Sequence, residues 1–188
     1  MALSITDLKS GVTIFVDGEV YQIIESQHVK PGKGAAFCRT KLRNMRSDNV
    51  LEMTFRGETK IDEAFIEERK LQYLYVSGDS YVFMDNENFE ELQIHKDLIG
   101  EKVKFLKDNL NVVSLSYKNE ILSVNLPNFI VYKIVSVEPG IKGDTAKSGT
   151  KPAKIETGAI VNVPLFVDEN DEIKVDIRTG TYVERVVK

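Results

Sequence analysis

The sequence has few of the residues that build catalytic and metal centres. It contains one cysteine, two histidines and no tryptophan among 188 residues. A single cysteine excludes an intrachain disulfide and is typical of a protein from a reducing compartment. Histidine and cysteine are too sparse and too widely spaced to form a recognisable metal-ligand pattern, and neither a phosphate-binding glycine loop nor a Ser–His–Asp arrangement appears. We therefore expect no metal, no other cofactor and no catalytic residue.

Long apolar runs are also absent. No stretch approaches the roughly 18 apolar residues of a membrane-spanning helix, and the first residues lack the pattern of a secretory signal peptide. With 42% hydrophobic and 29% charged residues, the composition is that of an ordinary globular protein. We expect a monomeric, cytoplasmic protein with no membrane partner.

Charge is distributed unevenly along the chain. The net charge of −4 argues against a protein that coats nucleic acid over its whole surface. Residues 1–62 carry nine basic and eight acidic side chains, or +1, whereas residues 63–126 carry seven and twelve, or −5; residues 127–188 carry nine of each. A surface for an anionic partner is therefore expected in the first third of the chain, not in the second.

One stretch in this first third combines turn residues with an excess of positive charge. Residues 28–46 contain no Asp or Glu, and their six basic residues are Lys30, Lys33, Arg39, Lys41, Arg43 and Arg46. Pro31, Gly32 and Gly34 surround Lys33, and these residue types are typical of a turn because proline fixes φ and glycine permits positive φ. The pattern predicts a β-hairpin with Lys33 at its tip; the alternative is a turn lysine that is merely solvated.

The residues after this turn alternate in character. One predicted face carries Cys38, Thr40 and Leu42, and the other carries Phe37, Arg39, Lys41 and Arg43. Since successive side chains of a strand point to opposite faces, this is a strand with a core face and a basic face. Such a basic face can bind an RNA backbone, and an aromatic ring on it can stack on a base. We expect RNA contacts from Lys30, Phe37, Arg39, Lys41 and Arg43.

The same residues carry a resemblance to a known family. Residues 30–37 (KPGKGAAF), with Arg39 and residues 41–44 (KLRN), resemble the tip of bacterial elongation factor P, a relative of initiation factor five-A. The resemblance implies that Lys33 receives a covalent extension from a lysine-modifying enzyme. It does not say which chemical group is attached.

Strand-like segments and short turns continue through the rest of the chain, and no helical repeat is visible. Asp17 and Gly18 form a strong hairpin signal between residues 13–16 and 20–24. Only residues 97–106 could form a short helix, with Asp97 as its cap and Gly100 weakening it. We predict an all-β protein of three small barrels: an SH3-like (KOW-like) barrel with the basic arm over 1–64, an OB-like barrel over 65–127 and a second OB-like barrel over 128–188.

The C-terminal third extends the resemblance. Residues 151–153 (KPA) and 158–167 (GAIVNVPLFV) resemble the C-terminal signature of the same family. Where the family pattern ends in Gly this chain has Asn170, which also tolerates the left-handed conformation, so we expect the turn to persist. Residues that match the family's loop toward the messenger RNA codon in the ribosomal exit site are Gly143, Asp144, Thr145 and Ala146. Tyr182 and Arg185 match a functional Tyr–Arg pair; the alternative is a packed Tyr and a solvated Arg.

The resemblance also implies a function. The three barrels would form an L shape that mimics transfer RNA and would bind the ribosome between the peptidyl and exit sites, contacting ribosomal RNA and peptidyl-tRNA. The extended Lys33 would reach the peptidyl-transferase centre and relieve stalling at consecutive prolines. Because proline's rigid ring disfavours the attack geometry, ordering the peptidyl-tRNA end would recover orientation entropy. The ribosome would perform the chemistry, so this translation elongation factor is not expected to be an enzyme.

Two alternatives remain open. One is an enzyme that uses Lys33 as a Schiff-base nucleophile, which requires an activated lysine, usually a buried one. The other is an elongation factor P-like paralogue or a general RNA-binding module without the polyproline role. The covalent state of Lys33 distinguishes these alternatives from the main hypothesis.

Overall fold

The computed structural model describes residues 2–57, 59–138 and 149–186. Within these ranges it contains sixteen β-strands and two 3₁₀ turns, and no α-helix. The strands form three sheets of six, five and five strands. The predicted all-β class is confirmed.

The first sheet is built by the N-terminal part of the chain. Its strands are β1 (Ala2–Leu3), β2 (Thr13–Val16), β3 (Glu19–Val29), β4 (Phe37–Asn44), β5 (Val50–Arg56) and β6 (Ile61–Glu63). Their order in the sheet is β1-β6-β2-β3-β4-β5, so β5 lies at one edge. The side chains that point to one side of these strands form a closed apolar core, in which Leu8, Ile14, Ile23, Leu42 and Ile61 are fully buried.

The turn between β2 and β3 confirms the strongest hairpin signal of the sequence. Asp17 and Gly18 have φ values of 53° and 84°. A two-residue turn with positive φ at both positions has the twist that antiparallel strands require, and Asp-Gly is a favoured pair for it. The turn therefore fixes the register Val16↔Glu19 and with it the direction in which β3 enters the arm.

The second sheet follows after a short connection. Its strands are β7 (Glu67–Ser77), β8 (Ser80–Asp85), β9 (Glu91–His95), β10 (Asn111–Tyr117) and β11 (Glu120–Asn125), in the order β11-β10-β7-β8-β9. Lys118 and Asn119, with φ values of 50° and 66°, make the two-residue turn between β10 and β11.

The helix predicted over residues 97–106 is wrong in type. Two 3₁₀ turns occupy this stretch, Lys96–Leu98 and Gly100–Phe105. Gly100 has a φ of 67°, a left-handed value that no α-helix accommodates, so the helical path is broken there. Asp97 does not cap the first turn; instead its backbone N–H donates to Nδ1 of His95 across 3.5 Å.

The third sheet is built from β12 (Phe129–Val137), β13 (Thr150–Ile155), β14 (Ile160–Pro164), β15 (Glu172–Asp176) and β16 (Thr181–Val186), in the order β14-β13-β12-β15-β16. Counted within each segment, this is the same order as in the second sheet, 3-2-1-4-5. Five-stranded sheets of this kind are typical of OB folds. Asn170 adopts a φ of 71°, which confirms that Asn supports the left-handed turn expected there.

Contacts divide the chain into two compact units, residues 1–68 with 114–123 and residues 69–113 with 124–188. In the first unit, Val20, Ala64 and Leu122 form a second small apolar cluster beside the main core. The three-domain boundaries at 64/65 and 127/128 stay a prediction. Among the described residues, no helix is long and apolar enough to span a membrane.

Candidate nucleic-acid interface

The basic stretch forms an arm made of two paired strands. The ends of β3 and β4 pair as far as Val29↔Phe37, and residues 30–36 connect them. Below this point the pairs His28↔Cys38 and Gln27↔Arg39 continue the ladder toward the core. The arm is therefore a continuous extension of the first sheet, and its connecting loop is held at both ends by backbone hydrogen bonds. The hairpin predicted for this stretch is confirmed.

Lys33 lies exposed within the connecting loop, between two glycines with different roles. Gly34 has a φ of 112°, a backbone conformation that residues other than glycine rarely adopt. A Cβ added at Gly34 would lie 3.8 Å from Cγ of Pro31. Gly32 does not have a positive φ, and a Cβ built on it meets nothing within 4 Å. Gly34 is therefore required by its backbone conformation, whereas Gly32 is not.

The alternation after the tip is confirmed. Cys38, Thr40 and Leu42 are buried, whereas Arg39, Lys41 and Arg43 are exposed and Phe37 is half-buried. The hydroxyl of Thr40 donates to the backbone oxygen of Met53 across 3.0 Å, so this polar side chain is satisfied inside the core. Burial raises the pKa of the Cys38 thiol. A neutral, buried thiol is a small core group and not a reactive one.

Phe37 is the aromatic centre of the exposed face. The guanidinium carbon of Arg39 lies 5.6 Å from the centroid of the Phe37 ring, which is the geometry of a cation–π contact. On the neighbouring strand, Arg56 is the cross-strand partner of Phe37. Sequence reasoning missed Arg56 because it lies outside the acid-free run. The alternation of Glu52, Thr54 and Arg56 along β5 was the available signal.

Lys41 has a different environment from the other arm cations. The strand register places Glu25 on one side of Lys41 and Glu52 on the other. All three side chains line the same shallow depression of the surface, and Arg39 lines it as well, although only Lys41 has both glutamates as its cross-strand partners. The sequence run around Lys41 contains no acid, but the folded face around it does, because its neighbours come from β3 and β5. Arg43, one rung further, lies between Gln22 and Val50.

The remaining basic residues of the run divide between the tip and an ion pair. Lys30 and Phe37 line one small depression at the base of the tip, together with His28 and Val29. Arg46 instead forms an ion pair with Glu120 at 2.7 Å. The structure thus brings Lys30, Phe37 and Arg39 together near the tip, whereas Arg46 has an intramolecular partner.

The two residues that match the family's functional Tyr–Arg pair lie on β16. Tyr182 pairs with Val175 and is half-buried, and Arg185 is exposed. The Arg185 guanidinium lies 3.5 Å from Oδ2 of Asp171 and 5.6 Å from the centroid of the Phe166 ring. Arg185 is therefore held beside an exposed aromatic ring. The predicted codon-contacting residues Gly143, Asp144, Thr145 and Ala146 lie outside the described residues.

Metal chemistry finds no support in the described ranges. They contain no group of three or more His, Cys, Asp or Glu side chains placed to hold a metal ion. One carboxyl with a shifted pKa is that of Asp176: the Arg178 side chain holds the pKa of this carboxyl below its usual range through a hydrogen bond.

The structure defines an all-β protein that has one sheet with a basic arm and two sheets of OB strand order. Sequence models of one family match successive parts of the chain: the elongation factor P KOW-like domain at residues 4–61, the elongation factor P OB domain at 66–124 and the elongation factor P C-terminal domain at 122–185. The chain belongs to the elongation factor P family, whose members are ribosome-associated translation elongation factors.

Curated relatives match almost the whole chain. Elongation factor P of Natranaerobius thermophilus is 55% identical over 96% of this chain and 96% of its own length. Elongation factor P of Moorella thermoacetica is 51% identical over 97% of this chain and 99% of its own length. That of Clostridium novyi is 52% identical over 98% of this chain and all of its own length.

Solved structures show a related fold over two thirds of the chain. Eukaryotic translation initiation factor 5A from Methanococcus jannaschii aligns with a TM-score of 0.53 and 25% identity, covering 66% of this chain and 93% of that one. A translation initiation factor eif-5a family protein from Naegleria fowleri aligns with a TM-score of 0.55 and 17% identity, covering 67% and 98%. The second match shows the fold alone.

Proposed function

We propose that this protein binds the ribosome between the peptidyl and exit sites and stimulates peptide-bond formation at consecutive prolines through a covalently extended Lys33. The observation that carries the proposal is the position of Lys33: it is exposed, it lies in the loop at the end of the arm, and its neighbours Gly32 and Gly34 have no side chains. A group attached to Lys33 can therefore enter a narrow space, because the residues on either side of Lys33 have no side chains that would collide with its walls.

The extension supplies reach and a hydrogen-bond donor. Lys33 ends in an ammonium group, and a lysyl-type or amino-alcohol addition places a further cation or hydroxyl beyond it. At the peptidyl-transferase centre such a group orders the end of peptidyl-tRNA. Prolyl substrates react poorly because their rigid ring disfavours the attack geometry. Ordering the reactants in advance lowers the entropic cost of reaching that geometry, so the ribosome's own chemistry proceeds faster.

The rest of the proposed interface positions this tip. The exposed cations of the arm bind the RNA backbone, and residues 143–146 contact the codon in the exit site. Arg185, held beside Phe166, is suited to RNA because a guanidinium next to an aromatic ring can both stack and bind phosphate. Tyr182 lies on the same strand, three residues before Arg185. We propose that the protein acts as a monomer in the cytoplasm.

The test is a translation reporter with a run of consecutive prolines, beside one without prolines, in cells that lack the native factor. Wild-type protein should restore the proline reporter and leave the other unchanged. Lys33→Ala should fail, and Lys33→Arg should fail too, because a guanidinium is a poor substrate for an enzyme that acylates or alkylates an ammonium nitrogen. Lys9→Ala is the matched control, since Lys9 is also an exposed lysine of the first segment.

Restoration of the proline reporter by Lys33→Ala to the wild-type level would show that the tip is only a solvated lysine. Intact-mass measurement of protein purified from its native cell complements the reporter. A mass above that of the unmodified chain, mapped to Lys33 by peptide analysis, supports the proposal. An unmodified Lys33 favours the elongation factor P-like paralogue or the general RNA-binding module without the polyproline role.

The Schiff-base alternative gains no support from the tip. Such a lysine is usually activated by burial among apolar groups. Lys33 is exposed, and its neighbours in the loop are Gly32 and Gly34. The geometry instead favours a group that is inserted into another molecule.

A further inference from the structure

The exposed face of the arm can be described as rungs, each made of one residue from β3, β4 and β5. The rung of Lys41 contains Glu25 and Glu52, so its formal charge is +1 − 2 = −1. The rung of Arg39 contains Gln27 and Thr54, and its charge is +1. The positive charge of this face is therefore not uniform along the arm.

The last rung before the tip is also positive. It consists of Val29, Phe37 and Arg56, and its charge is +1. Directly opposed residues of antiparallel strands have Cβ atoms about 4.5–5.5 Å apart, so the Arg56 side chain starts next to that of Phe37. Arg39 follows Phe37 on the same face and contacts its ring. Phe37 thus has one arginine beside it along β4 and another beside it on β5, on the two rungs nearest the tip.

Arg56 also lies on the open side of the sheet. β5 is the edge strand among the described residues, so no described strand pairs with it beyond Arg56. The side chain is exposed. Arginine suits phosphate better than lysine does, because its planar fork donates two parallel hydrogen bonds and it also stacks on planar groups.

We propose that Arg56 is an RNA-contacting residue that forms a clamp with Arg39 around Phe37. The two guanidinium groups bind phosphates on either side of one nucleotide, and the Phe37 ring packs against that nucleotide. Lys41 contributes less direct phosphate contact than Arg56, because Glu25 and Glu52 repel phosphate from its rung. The inference rests on the proposed function, since it names the residues through which the arm binds ribosomal or transfer RNA.

The experiment measures binding of the full-length protein to purified ribosomes that carry tRNA in the peptidyl site, as a function of salt concentration. The slope of log affinity against log salt counts the phosphates contacted, at about 0.7–0.9 per contact. Measurements should stay above about 0.1 M salt, where the Debye length is about 10 Å and the field of charges that do not touch RNA is screened.

Arg56→Ala should weaken binding and reduce the slope by about 0.7–0.9, the loss of one phosphate contact. Arg56→Gln should do the same while keeping most of the aliphatic stem. Arg56→Lys should retain most of the slope, because it keeps the charge. Lys41→Ala should reduce the slope by less than half as much as Arg56→Ala. Circular dichroism should show that all four variants are folded, since exposed side chains of this kind change stability by about 0.5 kcal/mol or less.

Equal slopes for wild type, Arg56→Ala and Arg56→Gln would overturn the clamp, as would a larger slope change for Lys41→Ala. The outcome is separable from that of the proposed function. If Arg39→Ala reduces the slope and Arg56→Ala does not, the arm binds RNA without the clamp. If Arg56→Ala reduces the slope while Lys33→Ala remains active on prolines, the clamp stands and the proposed role of the tip fails.

Discussion

The hydroxyl of Tyr132 donates a hydrogen bond to the backbone oxygen of Phe105 across 2.5 Å, and the Tyr132 side chain has no exposed surface. Phe105 ends the second 3₁₀ turn, and Tyr132 lies in the middle of β12. The centroids of the Phe105 and Tyr132 rings also lie 6.3 Å apart. Beside them, the ammonium group of Lys107 donates to the backbone oxygen of Val131 across 2.7 Å. One buried phenol therefore joins the irregular turn to the third sheet.

Tyr132→Phe removes only the hydroxyl and leaves the Phe105 carbonyl without this partner. We expect it to lower the free energy of unfolding by about 1–3 kcal/mol, the cost of an unsatisfied buried polar group. Tyr75→Phe is the control, because Tyr75 is 49% exposed and its hydroxyl has only a long contact of 3.4 Å to Glu91. Urea unfolding checks both variants, and equal losses in the two would contradict the role assigned to the Tyr132 hydrogen bond.

The same tyrosine predicts a dependence of stability on alkaline pH. Burial raises the pKa of Tyr132 far above its ordinary value, with a smaller contribution from the charge of Glu156. The unfolded chain releases this proton at about pH 10, whereas the folded protein keeps it. The contribution of Tyr132 to stability is therefore complete below about pH 10 and falls as the pH rises further, by about 1.4 kcal/mol per pH unit.

The measurement compares wild type with Tyr132→Phe at about pH 8 and at about pH 11, one unit above the ordinary tyrosine pKa. Their difference in unfolding free energy should shrink by about 1.4 kcal/mol at the higher pH. The pKa of Tyr73 is also raised by burial, but Tyr73 is present in both proteins and cancels in the difference. A difference that does not change with pH would show that the Tyr132 phenol ionises in the folded state.

The two tip glycines should respond differently to the same substitution. Gly34→Ala places a side chain at a φ of 112° and should cost about 1–3 kcal/mol of local strain. Gly32→Ala meets open space at an ordinary φ and should leave the fold unchanged. Amide hydrogen exchange of the arm is the readout, with faster exchange beside the tip expected for Gly34→Ala alone. Faster exchange in both variants, or in neither, would refute the assignment of strain to Gly34.

Local pattern was enough to predict most of the strands. The alternation of Cys38, Thr40 and Leu42 with Arg39 and Lys41 gave the correct faces of β4, because the period of a strand depends only on neighbouring residues. The pair Asp17 and Gly18 predicted its turn for the same reason. The helix expected over residues 97–106 is interrupted because Gly100 takes a φ of 67°, and the sequence alone does not show which φ a glycine adopts.

The charge of the arm could not be predicted from its own stretch. Glu25 and Glu52 are distant from Lys41 in sequence and become its neighbours through strand register, including an irregularity of β3 between Ile23 and Glu25. Arg56 reaches Phe37 by the same pairing. A one-residue change of register would move every side chain of a strand to the other face, so such neighbours follow from the folded sheet and not from composition.

The position of β6 between β1 and β2 affects the order in which the strands of the first sheet can pair. β6 pairs with both β1 and β2, through Leu3↔Ile61 and Ile14↔Glu63. β1 therefore cannot pair until residues about sixty positions later in the chain are present. β3, β4 and β5 are consecutive neighbours and need no later residue to pair. During synthesis, the arm can form while the core beneath it still lacks Ile61. The part of the molecule proposed to touch RNA can thus pair before the sheet that anchors it is closed.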